Sequence, residues 1–435
     1  MKTDEIRDRF LSFFEERGHR IYPSDSLVPR NDPSLLFTGA GMNQFKEEFL
    51  GRVKGPRRAA TCQKCLRTQD LENVGRTAGH HTFFEMLGNF SFGDYFKKDA
   101  IFWAWEFLTK ELWLQEKDLW VSVYNDDKEA YGIWRDTVKV PEDKILKLGE
   151  KENFWPSNAP SDGPNGPCGP CSEIFYGGPD GVEVWNLVFT QFDRKDKGAL
   201  EPLPSKNIDT GMGLERIARV LQGKDTNFEI DSFQPIIEAI KTLTLALSHF
   251  EEMGEGRVRA IADHIRAVTF AISDGVLPSN EERGYVIRKL IRRAFWYGRG
   301  MGLNKPFLYK IVPVVAQVMK KPYPELTEHR EDISQIVMEE EKRFRNTIDE
   351  GMGRLEEIME KRRSAGILYG EDIFKLNDTY GFPLELTQEI AEAKGFKVDI
   401  KGFEICMEEQ QVKSRKGSKI EKSVFEWIEI GRAHV

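Results

Sequence analysis

The stretch that most constrains the fold of this chain is residues 206–217, KNIDTGMGLERI. Its first part is typical of an extended segment that ends at Asp209, and apolar residues recur at helical spacing after Gly213. Gly211 and Gly213 permit positive φ and let a ligand approach the backbone closely. The stretch therefore predicts a strand end, a tight glycine turn and a helix. Arg216 in the first helical turn is equally typical of a salt-bridged buried turn and of a ligand site, because its guanidinium is planar and always charged.

Length and composition limit the class of protein. A chain of 435 residues is too long for one hydrophobic core, which predicts two or three domains. The sequence has no apolar run long enough to span a membrane, and its polar N-terminus lacks the apolar segment of a secretory signal. Its five cysteines are few and odd in number, which fits a reducing cytosol, so we expect a cytoplasmic protein.

Hydrophobic periodicity changes along the chain and predicts two domains. Residues 1–230 carry a helix at 4–17, a helix at 98–114, a Pro- and Gly-rich loop at 156–171, a hairpin of 57–66 with 80–96, and further strands at 26–29, 34–37, 119–124, 172–176 and 182–192. Residues 231–435 are dominated by helices, predicted at 232–250, 257–275, 283–299, 306–320, 327–363 and 384–394. This order indicates an α+β fold in which a mostly antiparallel sheet domain precedes a helical domain.

The predicted hairpin carries groups that suit a nucleotide. Arg67 opens its loop, and His80 and Phe84 lie on the returning strand. Cations contact phosphates and an aromatic ring stacks on a base, although core packing with incidental histidines is an open alternative. If the helix after Gly213 abuts the hairpin, Arg216 covers the second face of a base stacked on Phe84. The chain contains neither a Walker loop nor a Rossmann fingerprint.

Several strings resemble a known family. Pro29 in SLVP (26–29), the Arg67 hairpin and GMGLER (211–216) resemble motifs 1, 2 and 3 of the class II aminoacyl-tRNA synthetases. Longer strings resemble the alanyl-tRNA synthetases among them, and these are HHTFFEMLGNFSFGDYF (80–96), GPCGPCSEIFY (166–176), VWNLVFTQF (184–192), ADHIRA (262–267) and LPSNEERGYVIRKLIRRA (277–294). The resemblance covers nearly the whole chain.

The resemblance implies a fold, a reaction and the groups that serve it. The fold is a class II antiparallel sheet flanked by helices, followed by a helical tRNA-recognition region. The reaction is ATP-dependent activation of L-alanine to alanyl-adenylate, with Mg²⁺, and transfer to the 3′ end of tRNA(Ala). The alanine carboxylate is already a nucleophile, so the first step needs positioning and charge neutralisation rather than a general base. Arg67 is expected at the α-phosphate, His80 at a second phosphate contact, and Phe84 and Arg216 around the adenine.

The resemblance also assigns an alanine pocket. Asp209 lies where the family binds the α-ammonium group, a charge-assisted pairing. Trp155 and Val188 match positions that line the small methyl pocket, and Gly211 keeps its floor open. Taken alone, Trp155 and Val188 are more typical of a plain hydrophobic core. Such a pocket excludes large side chains but discriminates weakly against glycine or serine.

A basic region in the second half fits a nucleic-acid partner. Residues 257–305 contain ten basic and four acidic residues, although the whole chain has a net charge of -8. Arg288 with Arg292, and Lys289 with Arg293, are spaced i,i+4 and predict a phosphate-facing stripe, with a salt-bridged helix face as the alternative. The resemblance places Asn280 and Asp378 at the two positions that recognise the G·U pair of the acceptor stem.

The sequence departs from the family pattern near the hairpin loop. Between Arg67 and Asp70 the loop is shorter than usual and lacks a Gly-Gly-Lys segment, and Gly79 stands where an arginine commonly precedes the two histidines. We expect Arg76 to substitute as an ATP contact. The cysteines, in two Cys-x2-Cys pairs (Cys62 with Cys65, Cys168 with Cys171), resemble a four-thiolate zinc site. The gap between the pairs is far longer than a compact zinc ribbon has and no histidine follows the second pair, so zinc is not expected.

Three functions are compatible with these residues. The first is alanine–tRNA ligation by a monomeric catalytic and tRNA-recognition portion, with no editing domain expected in this chain. The second is a class II relative that loads a small amino acid onto a carrier protein, against which the basic helix with Asn280 and Asp378 argues. The third is a non-catalytic RNA-binding relative. An intact catalytic set argues against it, and its members are Arg67, His80, Phe84, Asp209 and Arg216.

Overall fold

The structure is a computed structural model that describes residues 1–29, 32, 35–69, 71–244 and 254–409. Its strands are β1 (Arg20–Tyr22), β2 (Arg58–Leu66), β3 (Phe83–Phe92), β4 (Leu119–Tyr124), β5 (Ile145–Leu148), β6 (Phe154–Trp155), β7 (Gly166–Tyr176), β8 (Val182–Arg194), β9 (Leu200–Gly213), β10 (Ile367–Leu368) and β11 (Lys397–Val398). Its helices are α1 (Thr3–Glu15), α2 (Lys46–Phe49), α3 (Lys97–Glu106), α4 (Lys128–Gly132), α5 (Glu150–Asn153), α6 (Ala159–Asp162), α7 (Leu214–Leu221), α8 (Gln234–Thr244), α9 (Glu255–Ser273), α10 (Glu282–Gly300), α11 (Val312–Val318), α12 (Glu325–Lys361), α13 (Gly370–Tyr380) and α14 (Leu384–Ala393).

A large sheet organises the first part of the molecule. Across the described residues it has nine strands in the order β1-β2-β3-β9-β8-β7-β4-β5, with β6 paired to β7. The neighbours from β2 through β4 are antiparallel, whereas β1 and β5 join the two edges in parallel. The predicted α+β class with a mostly antiparallel sheet is therefore confirmed.

Strand β9 lies between the hairpin and β8. The hairpin pairs β2 with β3 in a register that places Cys65 opposite Phe84, as predicted for an antiparallel hairpin. Strand β3 then pairs with β9, with Phe90 opposite Asp209, and β9 pairs with β8, with Val188 opposite Asp209. This order brings the hairpin and the stretch 206–217 side by side.

The predicted glycine turn in that stretch is wrong. Strand β9 continues past Asp209 through both glycines, with Gly211 opposite Asn186, and α7 follows directly. Gly213 has an ordinary φ of -65°, and Gly211 is not among the residues of positive φ. Close approach explains Gly211 instead, since a Cβ there would lie 2.9 Å from the sulfur of Met86. The glycine is needed for packing between strands rather than for a turn.

Other predicted elements differ from the structure or lie partly outside the described residues. Residues 166–171, predicted as loop, are the first half of β7, because their backbone pairs with β8 despite two prolines. Residues 26–29 and 35–37 are not strands, and Ser34 lies outside the described residues. The end of the helix predicted over 232–250 also lies outside them, beyond Thr244.

Aromatic packing joins α1 to the sheet. The Phe10 ring centroid lies 5.7 Å from that of Trp185 on β8 and 5.4 Å from that of Phe107. Phe10, Phe14 and Trp185 are fully buried. Each such side chain contributes roughly 1.5–3 kcal/mol on burial, so this layer is a main source of stability for the sheet. It follows from the predicted amphipathic face of the first helix.

The chain divides into two compact units, residues 1–340 and 341–435. The first unit extends well past the predicted boundary at residue 230, because α9 packs against β3, for example where the buried Phe270 stacks on Phe83. The assignment of 231–435 to tRNA recognition concerns function and stays a prediction. Within the parts of the chain that are described, no helix combines the length and apolar character needed to cross a membrane.

The second unit is small and mainly helical. The guanidinium of Arg362 donates to the carboxylate of Asp372 at 2.9 Å, and Phe382 packs so closely on Gly351 that a Cβ there would lie 2.1 Å from its ring. Strands β10 and β11 pair in parallel. The basic run 413–419 and the C-terminal residues lie outside the described part of the chain.

Candidate active site

One cavity of about 290 Å³ brings together most of the predicted site. That volume is close to the lower end of the range for small-molecule sites. Its lining includes eight predicted residues that come from distant parts of the sequence, namely Arg67, His80, Phe84, Trp155, Val188, Asp209, Gly211 and Arg216. Among the residues predicted to bind ATP or alanine, the exception is Arg76. It is exposed on the loop and does not line this cavity, so the geometry does not support its predicted ATP contact.

Strands β8 and β9 form the floor of the cavity. Val188 lies opposite Asp209, and Asn186 lies opposite Gly211. Because side chains alternate along a strand, these four positions share one face of the sheet. The missing side chain of Gly211 leaves room there for the thioether of Met86. The floor therefore combines one carboxylate, one amide and a small apolar surface.

Asp209 is buried in the cavity wall without a partner. It is 7% exposed, and among the described residues no hydrogen bond or ion pair to its carboxylate is present. Burial alone raises the pKa of Asp209 to about 7. A buried, uncompensated carboxylate is costly, and an ammonium group of a ligand would relieve that cost. The position beside the Asp209 carboxylate therefore suits a positively charged group.

Arg67 is fixed at the mouth of the hairpin loop. Its backbone N–H donates to the Thr82 carbonyl at 2.9 Å, and its Nε donates to the Gly39 carbonyl at 2.9 Å. The centre of its guanidinium lies 5.1 Å from the centroid of the Phe84 ring. One nitrogen holds the side chain in place, and the guanidinium lies beside the ring, where its other nitrogens can donate to an anion.

Arg216 stands beside two carboxylates. Its Nη1 donates to Glu183 Oε2 at 2.7 Å. Glu173 accepts a hydrogen bond of 3.1 Å from Asn186 Nδ2. Burial, and then the charge of Glu183, raise the pKa of Glu173 to about 8. Glu173 is therefore held largely neutral near pH 7, while Glu183 is paired with Arg216.

The two histidines of the hairpin have different environments. His80 is half-buried, and its Nδ1 lies 2.7 Å from the Thr77 hydroxyl. His81 is buried between α9 and the loop before α8, with Nδ1 at 3.2 Å from Asp263 and Nε2 at 3.0 Å from Asn227. His80 is thus the more available of the two for a ligand.

Several lining residues were missed by the sequence analysis. They are Ala40, His81, Met86, Lys151, Glu152, Phe154, Ser157, Glu173, Glu183, Val184, Asn186, Glu215 and Asn227. Strand periodicity was a usable signal for two of them, because Met86 lies two residues beyond Phe84 and Asn186 two residues before Val188. The acidic pair offered no such signal, since it is formed by the pairing of β7 with β8.

The two cysteine pairs lie on different strands. Cys62 and Cys65 are on β2, whereas Cys168 and Cys171 are on β7, and β3, β9 and β8 lie between them. At about 4.8 Å per strand, the pairs are separated by roughly 19 Å. All four thiols are buried, and they do not share a site.

The predicted arginine stripe on α10 consists of ion-paired side chains. Arg288 and Arg292 both contact Glu340, at 3.2 and 2.9 Å, and that carboxylate is 2% exposed. Arg293 pairs with Glu72. These contacts favour the salt-bridged alternative over a phosphate-facing stripe, and phosphate binding by these arginines stays a prediction.

The two positions assigned to the G·U pair are exposed. Asn280 precedes α10 in the first unit, and its Oδ1 accepts a hydrogen bond from Arg288. Asp378 is exposed on the last turn of α13 in the second unit. Both side chains are therefore accessible to a large partner.

Comparison with known proteins adds independent information. The model of the family "tRNA synthetases class II (A)" matches residues 5–430. The alanine–tRNA ligase of Thermotoga petrophila is 54% identical over 95% of this chain and 49% of its own length. That of Thermus thermophilus is 50% identical over 98% of this chain and 51% of its own length. The chain thus spans about half the length of the curated relatives it matches.

A solved structure, a putative aspartyl-tRNA synthetase from Leishmania major Friedlin, aligns with a TM-score of 0.34 at 13% identity, over 53% of this chain and 63% of its own. That similarity is too low to add to the assignment. The family match, in contrast, covers nearly all of the sequence and includes every strand that lines the cavity. This chain belongs to the class II (A) family of tRNA synthetases.

Proposed function

We propose that this chain activates L-alanine with ATP and transfers it to the 3′ end of tRNA(Ala). The observation that carries the proposal is the convergence of eight predicted residues on one cavity. The resemblance of the long strings to alanyl-tRNA synthetases and the relatives named alanine–tRNA ligase support the choice of amino acid. We further propose that the chain acts in the cytoplasm as a monomer.

In the first step, an oxygen of the alanine carboxylate attacks the α-phosphorus of ATP. A P–O bond forms, the bond to the β-phosphate breaks, and pyrophosphate leaves. Arg67 neutralises the charge that develops on the α-phosphate, because the Gly39 carbonyl already holds its guanidinium in place. Phe84 and Arg216 enclose the adenine, and His80 contacts a second phosphate.

The amino acid lies on the floor formed by β8 and β9. Asp209 pairs with the α-ammonium group, which fits its unpartnered and buried carboxylate. Val188 and Trp155 enclose the methyl group, and Gly211, with Met86 packed beside it, completes the floor. A pocket of this size excludes larger side chains by steric clash but rejects glycine and serine only modestly.

The acidic pair Glu173 and Glu183 fits a divalent cation. Mg²⁺ prefers oxygen ligands and is typically held by one or two carboxylates together with substrate phosphates. Burial and then the charge of Glu183 raise the pKa of Glu173, and a cation bound between the two carboxylates would favour its ionised form. When bound there, the ion supplies neutralisation of phosphate charge.

In the second step, a ribose hydroxyl of the terminal adenosine attacks the carbonyl carbon of alanyl-adenylate, and AMP leaves. We propose that Asn280 and Asp378 contact the G·U pair of the acceptor stem. An amide and a carboxylate can recognise the guanine amino group in the shallow minor groove of A-form RNA. The exposure of both side chains supports this assignment.

Exchange of labelled pyrophosphate into ATP tests the first step. The assay uses the purified chain with each of the twenty amino acids separately, and exchange should be strongest with alanine. Stronger exchange with another amino acid would show that alanine is not the substrate. The absence of exchange with all twenty amino acids would contradict the proposal that the chain is an enzyme of this kind. Transfer to tRNA(Ala) and to a carrier protein, assayed in parallel, then separates the proposed activity from the carrier-loading alternative.

A further inference from the structure

Helix α9 presents three side chains to the strand that carries Phe84. Asp263, Arg266 and Phe270 are spaced by three and four residues and so lie on one helix face. Asp263 accepts hydrogen bonds from the backbone N–H of Thr82 at 3.0 and 3.1 Å, and Phe270 stacks on Phe83 with centroids 4.1 Å apart. The face defined by these three residues therefore packs behind the residues next to Phe84 in sequence.

Arg266 contacts two buried carboxylates at once. Its Nη1 is 2.7 Å from Glu215 Oε1, and its Nη2 is 3.6 Å from Glu85 Oε2. The carboxylate of Glu215 also accepts from the backbone N–H of Glu85, at 3.1 and 3.3 Å. Arg266 thus lies at the junction between α7 and β3.

Rings and charge hold Arg266 in place. Its guanidinium lies between Phe83 and Phe233, 4.8 and 4.9 Å from their ring centroids. The residue is 1% exposed, and none of its side-chain nitrogens meets hydrogen-bond geometry with a described residue. Its position therefore depends on the two carboxylates and the two rings.

Both carboxylates are next in sequence to the residues proposed to enclose adenine. Glu85 follows Phe84, and Glu215 precedes Arg216. Successive strand residues point to opposite faces, so Phe84 faces the cavity while Glu85 faces α9. Two buried carboxylates this close repel one another, and the cation between them opposes a widening of the junction.

We propose that Arg266 is a positioning residue that sets the separation of Phe84 and Arg216, and thereby the selectivity of the site for a purine base. The inference rests on the proposed function, since it takes Phe84 and Arg216 as the walls of the adenine site. It gives a role to the ADHIRA string, which contributes no residue to the lining of the cavity.

Two variants test the role of Arg266. Arg266→Met removes the charge, whereas Arg266→Lys keeps the charge without the planar group. The matched control is Arg7→Met, because Arg7 pairs with Glu85 at 2.9 and 3.1 Å, belongs to the same buried network and has no contact with Glu215. Calorimetric titration with ATP and with CTP, in the absence of amino acid, measures base binding directly, and exchange kinetics corrected for active-site concentration measure turnover.

For Arg266→Met we expect ATP affinity to fall by about tenfold, comparable to the loss of one base-stacking contact, with little change for CTP. The alanine KM should change by less than about twofold. A loss of ATP affinity without a change in the alanine KM is not expected from a uniform loss of folded protein. Arg266→Lys should recover part of the ATP affinity, and Arg7→Met should lower stability while keeping the ATP-to-CTP ratio.

The proposal is overturned if Arg266→Met lowers stability but keeps both ATP affinity and the ATP-to-CTP ratio. If that variant does not fold, Glu215→Gln replaces it, because it weakens the same junction without changing side-chain volume. An unchanged ATP-to-CTP affinity ratio in Glu215→Gln would also overturn the proposal. The titrations need no amino acid, so they can succeed or fail independently of alanine-dependent exchange. Wild-type protein that binds ATP no better than CTP would also overturn the inference.

Discussion

The sequence predicted binding sites both on the cavity floor and on the arginine helix α10. In the described part of the chain the charged group on the floor is unpaired, whereas the arginines of α10 are ion-paired. On the floor, Asp209 is buried with no partner among the described residues. On α10, Arg288 and Arg292 share the buried carboxylate of Glu340. An uncompensated buried charge is expensive and is typical of a ligand site, whereas a compensated one is typical of structure.

The largest expected effect comes from removing the uncompensated charge. Asp209→Asn should raise the alanine KM by about 100-fold, because a buried charge-assisted pair is lost, and should leave the ATP KM nearly unchanged. Pyrophosphate exchange at varied alanine concentration measures this. An alanine KM close to that of the wild type would place the ammonium site elsewhere.

Thermal unfolding provides the control for this variant. Burial raises the pKa of Asp209 to about 7 in the folded protein, whereas the unfolded chain releases this proton at about pH 4. Stability is therefore lost as the pH rises from about 4, and the loss is complete above pH 7. Asp209→Asn should therefore be at least as stable as the wild type at pH 8. A large drop in Tm would instead indicate a folding defect.

The same raised pKa predicts how activity depends on pH. Below pH 7 the free enzyme holds Asp209 protonated and neutral, so kcat/KM for alanine should fall about tenfold per pH unit as the pH is lowered and should level off above pH 7. Exchange rates at subsaturating alanine measure the profile. Asp209→Asn should lack the fall in kcat/KM below pH 7. If the fall persists in the variant, it arises from the titration of another group.

A smaller effect is expected at the exposed Asn280. Asn280→Ala should lower kcat/KM for transfer to tRNA by about tenfold, as for one base-edge contact, while exchange remains unchanged. Asn304→Ala, at another exposed asparagine of the same unit, is the matched control and should affect neither step. An equal loss in both steps would indicate a folding role for Asn280.

The smallest effect on tRNA binding is expected at Arg292. Arg292→Met should lower the free energy of unfolding by about 1–3 kcal/mol, because Glu340 loses one of its partners, as measured by urea denaturation. The dependence of tRNA affinity on salt should stay close to that of the wild type. A fall of roughly one in the slope would instead identify Arg292 as a phosphate contact and restore the predicted stripe.

Much of the cavity could be predicted from local sequence. The hairpin of β2 with β3, the helix after Gly213 and the residues Phe84 and Arg216 all follow from periodicity together with family strings. The acidic pair Glu173 and Glu183 could not be predicted, since it exists only because β7 pairs with β8 across a register shift. The glycine turn was predicted wrongly, because spacing alone does not reveal that Met86 occupies the space beside Gly211.

The sequence by itself determined the kinds of group available and the order of the elements that carry them. Cations, a ring and a carboxylate occur at spacings that suit a nucleotide and an amino acid, whatever the chain packs against. Only the tertiary structure decided which charges were compensated, because ion pairing depends on partners distant in sequence. Glu340 pairs with Arg292 of α10 from 48 residues away, while no described residue pairs with the carboxylate of Asp209. That difference in compensation supports the proposal that the cavity is the binding site.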